Sequence, residues 1–157
     1  MSEVSKARIY TNLAWIVLLL LSGPGSGQSW GNTLENDLSL SFTTSKSTYT
    51  RDEPIKLSLR VTNNSSHPVI LPFASAKQYD FVITRGGQEV WRWSDGQMFA
   101  MVLTHIILGP KESKRFEAIW LQTDRTGQKI RTGLYEAAGI LQLLDHPLPS
   151  SISFEIR

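Results

Sequence analysis

The stretch from Ile55 to Val61 reads Ile-Lys-Leu-Ser-Leu-Arg-Val, with an apolar residue at every second position. Successive side chains of a β-strand point to opposite faces, so the four apolar side chains would share one face. Lys56, Ser58 and Arg60 would share the other. The pattern predicts a strand with one buried and one solvated face, which is the kind found in antiparallel sheets.

Similar short apolar segments continue on both sides of this strand, separated by turn signals such as Arg85-Gly86-Gly87-Gln88. They are Leu38–Phe42, Val69–Phe73, Tyr79–Thr84, Glu89–Trp93, Leu103–Leu108, Phe116–Trp120, Leu134–Leu143 and Ile152–Ile156. About eight or nine short strands at this spacing predict an all-β, two-sheet Greek-key sandwich. The segment Leu134–Leu144 is ambiguous between strand and helix, but Gly133 and Gly139 disfavour a helix.

Composition excludes several classes of protein. The 157 residues include no cysteine, so disulfides, thiolate metal sites and thiol catalysis are excluded. With 16 basic and 14 acidic residues, the chain is nearly neutral. No basic stripe indicates a nucleic-acid partner.

The N-terminal segment has the three parts of a secretory signal. Lys6 and Arg8 precede an apolar run from Leu13 to Leu21, and small and polar residues follow from Ser22 to Ser29. The apolar run is short for a membrane-spanning helix, which needs about 20 residues. We therefore expect a cleaved signal peptide. The alternatives are an uncleaved membrane anchor, or a wrongly assigned start codon and no export.

The predicted division of the chain follows from this leader. Residues 1–27 form the signal peptide or anchor, residues 28–37 a short linker, and residues 38–157 the sandwich domain. The mature protein would start near Gln28 and reside in the bacterial periplasm or cell envelope, or be secreted. Contact with a membrane is expected only if the leader is not cleaved.

The domain resembles the intracellular proteinase inhibitor family, the BsuPI domain. The resemblance is carried by Tyr79-Asp80-Phe81, Glu89-Val90-Trp91-Arg92-Trp93-Ser94, Met98-Phe99, Gly109-Pro110-Lys111-Glu112-Ser113, Trp120 and Gly133-Leu134-Tyr135. It covers roughly Leu38 to Leu143. The resemblance implies an immunoglobulin-like fold and, for the founding member, inhibition of an intracellular serine proteinase.

The stretch that follows Trp93 is the candidate partner-binding loop. Its candidate residues are Ser94, Asp95, Gly96, Gln97, Met98 and Phe99. An inhibitor of a subtilisin-like proteinase must present a rigid, extended segment with a large side chain for the primary pocket, because rigidity limits the entropy lost on binding. Met98 or Phe99 would serve. The alternative interpretation is that both side chains plug the end of the core.

Five aromatic residues are expected to form a structural cluster: Phe81, Trp91, Trp93, Trp120 and Tyr135. Trp91 and Trp93 lie two positions apart and would share one strand face, so an aromatic binding platform is the alternative for this pair. Tyr135 resembles the corner tyrosine of sandwich domains, whose hydroxyl group bonds back to the main chain.

No catalytic, metal or cofactor motif is present. His67, His105 and His146 are scattered and lack a second ligand at metal-binding spacing. Asp80 and Asp95 could form a carboxylate pair, but a strand-edge hydrogen bond explains Asp80 and a turn explains Asp95. We expect neither an enzyme nor a cofactor.

Two functional hypotheses remain. The first is an exported, inhibitor-like module that binds a protein partner, a serine proteinase of subtilisin type, through a surface loop. The second is an envelope protein–protein interaction or adhesion domain without inhibitory action. Both need only an exposed loop on a rigid scaffold, so the sequence does not separate them.

Overall fold

The computed structural model describes residues 37–157. The leader at 1–27 and the linker up to residue 36 lie outside the described residues. Ten strands follow one another: β1 (Leu38–Thr44), β2 (Thr48–Tyr49), β3 (Ile55–Asn63), β4 (Val69–Phe73), β5 (Tyr79–Arg85), β6 (Gln88–Arg92), β7 (Thr104–Leu108), β8 (Ser113–Trp120), β9 (Gly133–Leu141) and β10 (Leu148–Ile156).

The strands form three sheets around one core. The first sheet has the order β1-β3-β8, and the second has the order β2-β10-β9-β5-β6. Strands β4 and β7 form a separate two-stranded sheet. All pairings are antiparallel except the short parallel contact of β2 with β10. The chain is an immunoglobulin-like β-sandwich, as predicted.

Strand β3 behaves as its alternation predicts. Its four apolar side chains are fully buried, whereas Lys56 and Arg60 are exposed. Leu59 lies opposite Phe42 on one neighbouring strand and opposite Phe116 on the other. Burial of four large aliphatic side chains, each worth about 1.5–3 kcal/mol, makes this strand the centre of the core.

The β5–β6 hairpin turns at the two glycines that the sequence indicated. Gly86 and Gly87 have φ angles of 55° and 77°. A two-residue hairpin loop needs positive φ at both central positions, and glycine adopts it without steric cost. Arg85 and Gln88 are cross-strand partners on either side of the turn.

The strand pattern differs from the prediction in two respects. Strand β2 has only two residues, too few to produce a detectable alternation. The β4–β7 pair forms a third sheet, whereas the sequence predicted two. The inward side chains of that pair nevertheless join the main core, among them Leu71, Phe73 and Leu108.

The ambiguous segment at residues 134–144 is mostly strand β9, not a helix. Its inward positions alternate as Tyr135, Ala137, Gly139 and Leu141. Small residues occupy the middle of this row. There the two large sheets approach closely, because a Cβ atom on Gly139 would lie 2.7 Å from the ring of Phe42.

Candidate functional site

The candidate loop connects β6 to β7 and begins with a tight turn. The Asp95 amide donates to the carbonyl of Arg92 (3.2 Å), and the Gln97 amide donates to that of Ser94 (3.1 Å). The Gln97 side-chain amide also donates to the carbonyl of Trp93. From Gln97 to Leu103 the backbone belongs to no strand or helix.

A buried carboxylate fixes the base of this loop. The side chain of Asp80, on β5, is fully buried. Its Oδ2 atom accepts from the Ser94 hydroxyl group (2.8 Å), and its Oδ1 atom accepts from the Ser94 amide (3.2 Å). Lys77 Nζ and Arg92 Nη1 lie 2.5 and 2.9 Å from Oδ2. The sequence predicts a strand-edge hydrogen bond for Asp80. The side chain is hydrogen-bonded, but β5 lies between β9 and β6, so this side chain is an internal anchor.

The electrostatics keep Asp80 charged. Burial opposes ionisation, but hydrogen bonds from Lys77, Ser94 and Arg92 outweigh it and hold the pKa of Asp80 below its ordinary value. Hydrogen bonds that Arg92 donates to Glu89 and Asp80 raise the pKa of Arg92 against the opposing effect of its partial burial. The anchor is thus a carboxylate bound by two cations at neutral pH.

A row of aromatic rings connects the loop to the core. Phe99 contacts Trp93, with ring centroids 5.8 Å apart. Trp93 stacks on Tyr79 at 4.4 Å, and Tyr79 stacks on Phe116 at 4.6 Å. Phe99 is half-buried by this contact. It anchors the loop from outside and does not fill the interior of the sandwich.

The far end of the loop is attached to the segment between β4 and β5. The amide of Ala76 donates to the carbonyl of Ala100 (2.9 Å). The hydroxyl group of Thr104 donates to the carbonyl of Ser75 (3.0 Å). The loop is therefore fixed at Ser94, Phe99 and Ala100.

Met98 points away from all of these attachments. Its side chain is 98% exposed, so the interpretation of Met98 as a core plug is wrong. Met101 is 86% exposed, and Val102 and Leu103 are also exposed. The loop thus presents an apolar edge to solvent, on a backbone that its neighbours hold in place.

The chain matches one family model, described as an intracellular proteinase inhibitor, over residues 42–145. The match covers more than half of the chain. The chain belongs to the BsuPI family. This membership confirms the resemblance found in the sequence. It indicates a proteinase-inhibitor-like, non-enzymatic role and a proteinase as partner.

Solved structures with a similar fold are distant from this BsuPI-family chain. An alkylpurine DNA glycosylase of Pseudomonas fluorescens is 15% identical, with a TM-score of 0.47 over 77% of this chain and 30% of its own. The CARDB domain of the PF1109 protein of Pyrococcus furiosus is 13% identical, with a TM-score of 0.45 over 77% and 88% of the two chains. A β-glucosidase of Listeria innocua is 10% identical, with a TM-score of 0.44 over 76% of this chain and 16% of its own. Among curated proteins none matches the chain.

The five aromatic residues proposed as a cluster lie in or against the core of this BsuPI domain. Phe81, Trp120 and Tyr135 are buried, and Trp91 and Trp93 are half-buried against them. Trp120 lies 6.2 Å from Trp91 and 6.0 Å from Tyr135 between ring centroids. The Tyr135 hydroxyl group donates to the carbonyl of Arg131, four residues upstream, as expected of a corner tyrosine.

The polar loop between β8 and β9 lies beside the candidate loop, a contact that sequence reasoning missed. Arg125 contacts Glu89, and its Nε atom lies 3.3 Å from a carboxylate oxygen of Asp95. Burial by itself would raise the pKa of Glu89. Hydrogen bonds from Arg92 and Arg125 have the opposite and larger effect, so the pKa of Glu89 is below its ordinary value. The opposite charges of Arg125 and Asp95 were visible in the sequence, but not their proximity.

Within residues 37–157, no group of three His, Cys, Asp or Glu side chains is arranged to hold a metal ion. The same part of the chain contains no helix long and apolar enough to cross a membrane.

Proposed function

We propose that this protein inhibits a serine proteinase of subtilisin type by placing the loop at residues 94–103 in the active-site cleft. Met98 enters the primary specificity pocket. The observation that carries the proposal is the contrast between a fully exposed Met98 and the fixed residues on either side of it. A loop held in its bound shape loses little entropy on binding, which favours tight association.

The chemistry of the loop supports an apolar, elongated pocket as the target. Methionine is unbranched and polarizable, so it fills irregular apolar pockets. Met101, Val102 and Leu103 would extend the apolar contact beyond the pocket. The ring of Phe99 packs against Trp93 and holds the loop in place. Of the two candidates, only Met98 is therefore assigned to the pocket.

We also propose that the mature protein is exported, so that its target is a proteinase outside the cytoplasm. The support is the order of basic, apolar and small residues in the leader. The partner would then be a secreted or envelope proteinase.

The test is to titrate the purified protein against a subtilisin-like serine proteinase and follow residual activity. Inhibition should be near stoichiometric at micromolar enzyme if the affinity lies between about nanomolar and micromolar. Met98→Ala should raise the inhibition constant about tenfold to a hundredfold, because an apolar side chain no longer enters the pocket. Its melting temperature should stay close to that of the wild type, because Met98 is exposed.

The matched control is Leu134→Ala, which removes another exposed apolar side chain, on β9 and outside the loop. It should leave inhibition unchanged. Absence of inhibition by the wild type, or equal losses in the two variants, would refute the loop mechanism. The envelope interaction domain would then be the better hypothesis.

A further inference from the structure

The outer face of the β1-β3-β8 sheet carries a second candidate site, independent of the loop. A shallow concavity of about 470 Å³ opens there. Its lining includes the hydroxyl groups of Ser41, Thr43 and Ser58 and the cationic side chains of Arg60 and Arg115. A sheet face lined only by polar side chains with basic groups among them has the chemistry of an anion site.

The register of the sheet explains the concavity. Ser41 lies opposite Arg60, and Arg60 lies opposite Arg115. In the next row of the same face, Thr43 lies opposite Ser58. Short hydroxyl side chains therefore form a floor, and the long side chains of the two arginines form its wall.

The two arginines form an unfavourable pair in the absence of an anion. Like charges placed directly opposite on adjacent strands repel each other. Their Cβ atoms are about 5 Å apart in such a pair, so both guanidinium groups can reach one small anion. Arg60 has no ion pair or side-chain hydrogen bond with any residue in the range 37–157.

The acidic residue of this face is already paired. Glu117 Oε1 lies 3.0 Å from Lys56 Nζ and 3.7 Å from Arg115 Nη1. One carboxylate against three cations leaves a net charge of +2 on the lining. Glu117 lies closer to Lys56 than to Arg115, and Arg60 forms no ion pair with any residue in the range 37–157.

We infer that this concavity binds a compact phosphate-type oxyanion, either free or as a phosphomonoester. The guanidinium groups of Arg60 and Arg115 bind its oxygen atoms from the wall, and the hydroxyl groups of Ser41 and Ser58 donate from the floor. Arginine suits this task because its planar donors match the oxygen atoms of phosphate. This site does not depend on the proposed proteinase loop.

The test follows backbone amide shifts of the isotope-labelled full chain during titration with inorganic phosphate, at constant ionic strength set with chloride. Saturable shifts confined to β1, β3 and β8 should give a dissociation constant of about millimolar. Arg60→Gln should weaken binding about tenfold, since a charge-assisted hydrogen bond is lost.

Lys114→Gln is the matched control, because it also removes one positive charge from this sheet, in this case from β8. Lys114 lies opposite Val61, in the alternate row, and is not part of the concavity. It should change the affinity less than about twofold. Shifts that do not saturate, or equal losses in the two variants, would overturn the inference.

A second titration with glycerol phosphate distinguishes the two sources of the anion. Tighter binding of the ester than of inorganic phosphate identifies a phosphorylated molecule as the ligand, and weaker binding identifies the free anion. Either result at this face supports the inference. Binding of the ester that survives Arg60→Gln unchanged would contradict it.

Discussion

At the scale of single residues, Gly139 decides how closely the two large sheets pack. A Cβ atom at this position would lie 2.7 Å from Cδ2 of Phe42 and 2.9 Å from Cδ1 of Leu59. Real Cβ contacts of that length do not occur without movement of a neighbour, and both neighbours are buried. A closely packed interior transmits such a strain because it has little free volume.

Gly139→Ala should therefore destabilise the protein by about 1–3 kcal/mol through overpacking. Urea unfolding followed by tryptophan fluorescence measures this change. Phe42→Leu, combined with Gly139→Ala, should cost less than the sum of the two single changes, because the shorter side chain relieves the contact. Additive costs would show that the sheets separate freely at this point.

At the scale of elements, the loop between β6 and β7 is held by side chains and backbone groups of other elements. Asp80 belongs to β5, Ala76 to the β4–β5 connection, and Arg125 to the β8–β9 connection. The loop is therefore stable only when these elements have assembled. The rigidity of this loop is a consequence of packing, since the loop's own residues form only the turn at its start.

Asp80→Asn tests this anchor. The Asp80 carboxylate faces five donors, and the substitution introduces an NH₂ group that faces some of them in either orientation. It should therefore cost about 2–3 kcal/mol at neutral pH. Hydrogen exchange at residues 94–100 should accelerate. Asp52→Asn, which breaks the exposed contact with Lys129, is the control and should cost well under 1 kcal/mol.

The pH dependence of the free energy of unfolding, compared between the wild type and Asp80→Asn, gives an independent check. The pKa of Asp80 is lower in the folded state than the unfolded value of about 3.9. Its stabilisation is complete above that value and is lost as pH falls through the lower folded pKa. The stability difference between wild type and Asp80→Asn should narrow below about pH 4. A difference that stays constant into strong acid would contradict the ionised anchor.

At the scale of the whole molecule, two distinct surfaces lie on one cysteine-free sandwich. The apolar loop follows β6 of the five-stranded sheet, and the basic concavity lies on the outer face of the three-stranded sheet. The core that supports both is held by apolar burial without covalent cross-links. Such a domain can fold without an oxidising environment, so its fold is compatible with either side of a membrane.

Export is therefore tested on the whole protein in its cells. N-terminal sequencing of the mature protein should find a start near Gln28, in the envelope or secreted fraction. Removal of the basic residues Lys6 and Arg8 should retain the precursor in the cytoplasm, because the charged start of the signal is lost. An intact Met1 on a soluble cytoplasmic protein would end the export proposal.

The fold class follows from local patterns in the amino-acid sequence. Period-two alternation, short apolar segments and the turn signals between them placed nine of the ten strands, because a buried face imposes such spacing on the chain. The glycine pair at 86–87 located a hairpin, since the required φ angles restrict the residue type. The residues around Trp91 and Met98 led to the family. Each of these signals is local in the chain.

Which residues of the site act together depends on the three-dimensional packing of the strands. Met98 and Phe99 are adjacent and equally apolar, yet one is exposed and the other rests on Trp93. The role of Asp80 depends on hydrogen-bond partners up to fourteen positions away. The placement of Arg60 directly opposite Arg115 depends on the register of β3 against β8. Strand pairing joins residues far apart in the chain, and no local pattern encodes which strands will be neighbours.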